Sequence, residues 1–509
     1  MKNFFLILIT ITITLLTGYK FHFHILKFKN KILNLISQQS SKEIKSSLET
    51  VYLNLDSTEF NKLLGYRKSA FLNAYISPKE KKNVKGEVKI NDKIYKAKIK
   101  LSGHAWDHLG GDGLSKTSLT IHIPNRAKFS LRHPTTRSYL YEWILHKALE
   151  KRKIPTTKYS FKQLSINGKK KGIYSIEKRF QYDFFKDNNI EEGLVLQFDF
   201  YPTLIENMLQ TKYVSFKSFN NINNFNNCKI LNYKSNIDSL EYHKKLAYDK
   251  LDSFRINADT NLSDFDLKSW AEFFSVLEIF GANHAASWPA IRFYYNLNTK
   301  KFFPVGYDGA ELKEKSLLHF AFDDSPVMIS KLNEIFLRKF FKNISFMKLY
   351  NREINNLLNN DFVNKVFMDN EDEYGFLKKE LKKEFNYNEK YWYNEEFAFD
   401  PDLKEKLEIR SKYLKTVYNP AQQLCVFYKD NEIFAGNKYY LPIKLIGLKN
   451  NSNTETKNII LKQKSSKSPI ELTKISTNLS LDKNLKILYK KIGDDSVFID
   501  KIFDFYKTK

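Results

Sequence analysis

"VKGEVKINDKIYKAKIKLSG", Val84 to Gly103, is where the chain changes its period. Upstream, "EFNKLLGYRKSAFL" places apolar residues at helical spacing, and residues 32–72 read as helix. In the quoted stretch apolar and basic residues alternate on either side of Asn91 and Asp92, which mark a tight turn between two strands with one buried face. A glycine-rich loop, "GHAWDHLGGDGLSK", leads to a further alternating strand, "TSLTIHI". Helix and strands in one continuous segment make the fold class α+β.

The same reading extends outward. "TRSYLYEWILHKALEKRKI" is an amphipathic helix with Leu140, Ile144, Leu145 and Ala148 on one stripe, ending before Pro155. "SFKQLSINGKKKGIYSIEKRF" is a strand pair around Asn167-Gly168. Residues 205–260, polar and rich in asparagine and lysine, read as an insertion. "SDFDLKSWAEFFSVLEIFG" is a buried helix with Ser263 as its N-cap candidate and Gly281 as its stop. "AIRFYYN" and "KKFFPVGYD" form a hairpin that ends on Asp308. From about Ser330 to Tyr418 the pattern is helical, and residues 424–509 alternate in short segments, as in a small all-β, sandwich-like C-terminal domain.

The first 31 residues carry an apolar run from Phe4 to Leu16 with no small-x-small cleavage site after it. They read as an uncleaved signal anchor in preference to a removed signal peptide. Lys20, Lys27, Lys29 and Lys31 follow the run and only Lys2 precedes it, which by charge counting keeps the body inside, although a single short span also serves for export. The expected location is a bacterial inner membrane, crossed once, with the body outside the cytoplasm.

Composition narrows the function classes. The chain has 509 residues, 42% of them hydrophobic, enough for a large core. Its formal charge of +26 suits nucleic acid, anionic lipid or an acidic polysaccharide, but the cations are mostly lysines scattered with asparagine and isoleucine, and no nucleic-acid module is present. Cys228 and Cys425 stand far apart and in no CxxC or Cys/His cluster, which argues against a disulfide framework and a structural zinc site.

"DHLGGDG", "FSLRHPTTRSYLYEWILHKAL", "INGKKKGIYSIE" and "RFYYN", in that order, resemble the CotH family, spore-coat-protein-H-like proteins with an atypical protein-kinase fold. The resemblance covers roughly Asp56 to Glu311 and implies a CotH-like domain over residues 32–420, followed by the β domain. It implies nucleotide contacts at Lys100, Gly103 and Glu177, a catalytic pair at His284 and Asp308, and Asp308 as the ligand of Mg2+ or Mn2+ held with ATP. Each position also has a plainer reading. Asp308 can cap a turn, Glu177 can pair with a lysine, His284 can cap a helix end, and Lys100 belongs to a lysine row with Lys96 and Lys98. A metal cluster of His104, Asp107, His108 and Asp112 matches no standard spacing. Ser102, Thr120 and Ala290 stand where the family pattern has lysine, arginine and asparagine. Two functions follow: a binding or accessory protein of surface protein or polysaccharide assembly with an eroded kinase-type site, or an active kinase acting on a surface protein or glycan. A basic nucleic-acid binder is the outsider.

Overall fold

Val51 and Leu53 are fully buried on a short strand, β1 (Thr50–Asn54), inside the segment whose spacing reads as helix. The computed structural model describes residues 47–505 except for internal stretches, the longest being 199–227, 232–239, 313–338 and 386–401. After β1 comes α1 (Ser57–Leu72), capped by the Asp56 side chain, which accepts from the Glu59 amide. Then follow β2 (Val84–Ile90), β3 (Lys93–Leu101), β4 (Leu119–Ile123), β5 (Ala127–Arg132), α2 (Leu140–Lys151), β6 (Tyr159–Ile166) and β7 (Lys169–Lys178).

The turns are those the sequence calls for. Asn91 and Asp92 have φ of 48° and 61°, and Asn167 and Gly168 have 49° and 75°, the left-handed values of tight hairpins. The strands close in the order β1-β2-β3-β4-β5-β7-β6, with β6 pairing parallel to β1. Asn167 fastens that closure: its side chain accepts from the Leu55 amide at 2.8 Å and donates to the Leu55 carbonyl at 2.9 Å. Val51, Leu53, Ile99, Ile121 and Leu131 fill the interior as a core of their own.

This closed seven-stranded barrel overturns the expected atypical kinase-like architecture. The cause is β1. A five-residue strand beside a helix leaves too short an alternation to detect, and its parallel partner lies more than a hundred residues downstream. A second expectation is also corrected. Among the described residues no helix is long and apolar enough to cross a membrane, so the single span, and the inner-membrane location built on it, are withdrawn. The run at 1–31 itself lies outside the described residues.

Beyond the barrel, α3 (Tyr182–Asp187) leads to β8 (Gly193–Phe198). Then come β9 (Cys228–Ile230), α4 (Leu240–Ile256), α5 (Leu267–Phe280), β10 (Arg292–Asn296) and β11 (Phe302–Val305), the strands forming a sheet in the order β11-β10-β8-β9. The N-cap of α5 is Asp266, which accepts from the Ser269 amide at 2.9 Å, and not Ser263; Gly281 ends the helix at φ 66°. Among the described elements that follow are the helices α6 (Ile344–Asn359), α7 (Phe362–Met368), α8 (Glu371–Glu384) and α9 (Leu403–Tyr418). The tail forms two four-stranded sheets from β12 (Leu424–Lys429), β13 (Glu432–Asn437), β14 (Ile443–Lys449), β15 (Thr454–Leu461), β16 (Leu472–Ile475), β17 (Lys486–Lys491), β18 (Phe498–Lys501) and β19 (Phe503–Asp504). Their inner residues, Leu424, Ile443 and Ile487 among them, join the apolar core that α5 and α9 share.

Candidate functional site

The ends of β5 and β7 meet the β10–β11 hairpin in a seam lined by arginines. Arg132 ends β5, and Arg137 closes the single 3-10 turn Pro134–Arg137 that follows it. Glu177 and Arg179 lie at the end of β7, Arg292 opens β10, and Tyr307 and Asp308 follow β11. Glu177, at 1% exposure, has Arg132 Nε 3.2 Å and Arg137 Nε 3.7 Å from Oε2, and Arg179 Nη1 3.8 Å from Oε1. Asp308 Oδ1 meets Arg137 Nη1 at 2.8 Å. Tyr307 is the hub: its hydroxyl accepts from Arg132 Nη2 at 3.4 Å and Arg179 Nη1 at 3.3 Å, and the Arg292 guanidinium lies 4.6 Å from its ring centre.

His284 stands on the other side of Asp308. Its Nδ1 donates to the Asp308 carbonyl at 2.9 Å and lies 3.4 Å from Oδ1, in a side chain that is 34% exposed. Burial alone would raise the Asp308 carboxyl, but Arg137 and then His284 outweigh it and hold the group well below the usual carboxylate range. Glu177 follows the same logic: burial raises it, and Arg132, Arg137 and Arg179 bring it below its ordinary value. Burial would lower His284, and the Asp308 carboxylate more than reverses that, raising the imidazole.

The charges do not balance. Arg132, Arg137, Arg179 and Arg292 face Glu177 and Asp308, with half-buried Asp107 at the margin, so at least one guanidinium is in excess. Arg132 Nε sits near Glu177 but off the hydrogen-bond direction. Among the described residues it, Arg132 Nη1 and Arg137 Nε are buried donors without a hydrogen-bond acceptor, while Asp308 Oδ1 and Asp107 Oδ1 are buried acceptors without a hydrogen-bond donor. Buried charge left short of partners is costly, and this arrangement is complementary to an oxyanion.

Of the residues expected from the sequence, Asp308, His284 and Glu177 converge, with Arg137 as the link between the two acids. The register Lys100↔Thr120, Thr120↔Ser130, Ser130↔Glu177 puts Lys100 on the same face of the barrel as Glu177 and three strands along, about 14 Å measured around the sheet at the usual strand spacing. Gly103 serves packing: at φ 92°, a Cβ there would lie 1.9 Å from the His108 ring. His108 Nδ1 lies 3.0 Å from the Ser118 hydroxyl and its Nε2 3.6 Å from Asp107, while Asp112 lies outside the described residues. Among the described residues no group of three His, Cys, Asp or Glu side chains is placed to hold a metal ion, and the one expected metal carboxylate is already met by Arg137 and His284. This donor set fits a divalent cation poorly.

The arginines escaped the reading although Arg132 and Arg137 lie inside the quoted "FSLRHPTTR". The available signal was scarcity: 11 of the 83 Lys and Arg residues are arginine, so four at one seam stand out against a lysine background. No family model matches the chain, and no curated protein matches it.

Proposed function

We propose that this chain is a binding protein whose arginine-lined seam holds the phosphate groups of its ligand. The observation that carries this reading is the excess of buried guanidinium over carboxylate around Glu177, Asp308 and Tyr307, with buried donor atoms on Arg132 and Arg137 still lacking acceptors. Guanidinium presents paired N–H donors at the spacing of phosphate oxygens and keeps its charge at every physiological pH. The CotH resemblance supports a phosphorylated ligand, a nucleotide or a phosphate-bearing surface glycan, and an accessory role in assembling surface material.

A thermal-shift titration with phosphate, pyrophosphate and ATP, each with and without Mg2+, tests the reading. Ligand at a hundredfold excess over Kd stabilises the folded state by about 2.7 kcal/mol, and the rise in Tm is expected with EDTA present. A rise that needs the metal, or none at all, contradicts it.

A second reading, phosphoryl transfer to an acceptor hydroxyl, is favoured by His284, whose partly exposed ring is backed by a buried carboxylate, as a general base requires. Transfer of labelled phosphate from ATP to protein or glycan acceptors, lost in His284→Asn, would establish it. Its absence with binding retained leaves the first.

A further inference from the structure

Asp308 and Ala310 are held at φ of 59° and 58°, a region that costs a residue with a Cβ free energy, so something must impose it. Glu142, in the first turn of α2 and 1% exposed, is in place to do so. It accepts from three consecutive amides: Asp308 N to Oε1 at 2.9 Å, Gly309 N to Oε2 at 2.8 Å and Ala310 N to Oε2 at 3.3 Å. Ser138 Oγ donates to the Ala310 carbonyl at 2.6 Å from the same end of the helix. Three N–H groups wrapped around one oxyanion form a nest, filled here by the chain's own carboxylate.

One turn on, His146 lies between two acceptors. Its Nε2 is 3.0 Å from Glu142 Oε1, and its Nδ1 is 2.8 Å from the Thr157 carbonyl. A carbonyl cannot donate, and a carboxylate that receives backbone N–H bonds is best satisfied ionised, so both ring nitrogens must carry hydrogen. We propose that Glu142 and a doubly protonated His146 are positioning residues that latch the 308–310 loop, so that anion binding at the arginine seam depends on the His146 proton. This inference rests on the anion-site reading above.

The surroundings agree. Burial would lower His146, but its hydrogen bond with Glu142 and that carboxylate's charge outweigh it and raise the imidazole above its ordinary 6.5. The facing groups are Glu142 on its own helix, the Tyr159 ring on β6 at 5.7 Å, the Thr157 carbonyl and, further off on β7, Glu177. The Tyr159 phenol is pushed up by burial and stays neutral, and Glu177 is held ionised by its arginines, so neither changes charge as His146 titrates. When the pH rises through the raised His146 value, one ring nitrogen loses its hydrogen and faces an acceptor lone pair to lone pair. The latch then loosens.

Two measurements test this. Ring-nitrogen NMR of the wild-type protein at pH 7 should show hydrogen on both nitrogens of His146, and one bare nitrogen overturns the latch. Sulfate, which keeps its charge across the range, then reports the coupling. In His284→Asn, where the other raised histidine cannot titrate and His104 and His108 are held neutral by burial and the nearby cations, sulfate affinity should fall about fivefold or more as the pH rises through the His146 titration. In the double variant His284→Asn/His146→Gln the fall should vanish. A fall that persists in the double variant overturns the coupling alone, whereas sulfate that fails to bind the wild type at any pH overturns the anion-site reading and the coupling with it.

Discussion

Replacing Asp308 with asparagine separates the two chemistries open to this carboxylate. As a metal ligand, its loss abolishes nucleotide binding. As the partner of Arg137 and His284, its loss frees positive charge for the ligand, so Asp308→Asn should bind pyrophosphate at least as tightly as the wild type while costing about 3 kcal/mol of stability, typical for breaking one half of a buried ion pair. Glu177→Gln should behave alike, with a lower Tm that pyrophosphate restores by more than it stabilises the wild type. Denaturant melts with and without ligand check both. Asp308 was legible in the sequence because it ends an apolar strand, whereas Glu177 after its hairpin and His284 after its helix stop were reached only through the family resemblance. Arg137 was not legible, since its value depends on the positive φ of Ser138 and Tyr139, which swings the chain from β5 into α2, a backbone choice no periodicity records.

At the level of elements, the barrel depends on β1. Leu53→Ala empties a fully buried site in the strand that joins β2 to β6, and should cost about 3 kcal/mol. Gly172 on β7 makes a second point. Its φ is 93° and an added Cβ would lie 2.0 Å from Glu384 Oε1, the carboxylate at the end of α8 that accepts from the Ile173 amide at 2.9 Å. Gly172→Ala should therefore destabilise the protein by at least about 2 kcal/mol through backbone strain and the displaced Glu384, measured by urea denaturation. Hairpins with Asn-Gly and Asn-Asp turns, and the helices at α2 and α5, could be read from the chain because their signals are local. The closure of β1 on β6 and the grip of α8 on β7 join residues far apart, and each contact leaves only one ordinary residue at either end.

For the whole molecule, the pKa shifts define a pH window. Asp308 and Glu177 are lowered on folding, so their stabilisation is present above their unfolded values near 4 and is lost as the pH falls further. His146 and His284 are raised, so theirs is complete below about 6.5 and lost as the pH rises through their folded values. Tm should peak between those limits, and His146→Gln should flatten the alkaline side. The C-terminal sheets are tied to the helices: Tyr439 donates to Asn351 Oδ1 at 3.1 Å, and the Asn351 amide reaches the Ile492 carbonyl. Calorimetry should therefore show the helices and these sheets melting in one transition, and a separate transition for the tail would show that it folds on its own. The most direct test of the seam is calorimetric titration of the protein with pyrophosphate in EDTA, beside the Arg132→Lys variant. An arginine-lined anion site predicts saturable binding without metal, weakened about tenfold or more when the guanidinium fork becomes a point charge. Binding that appears only with Mg2+, or that Arg132→Lys leaves unchanged, would contradict it.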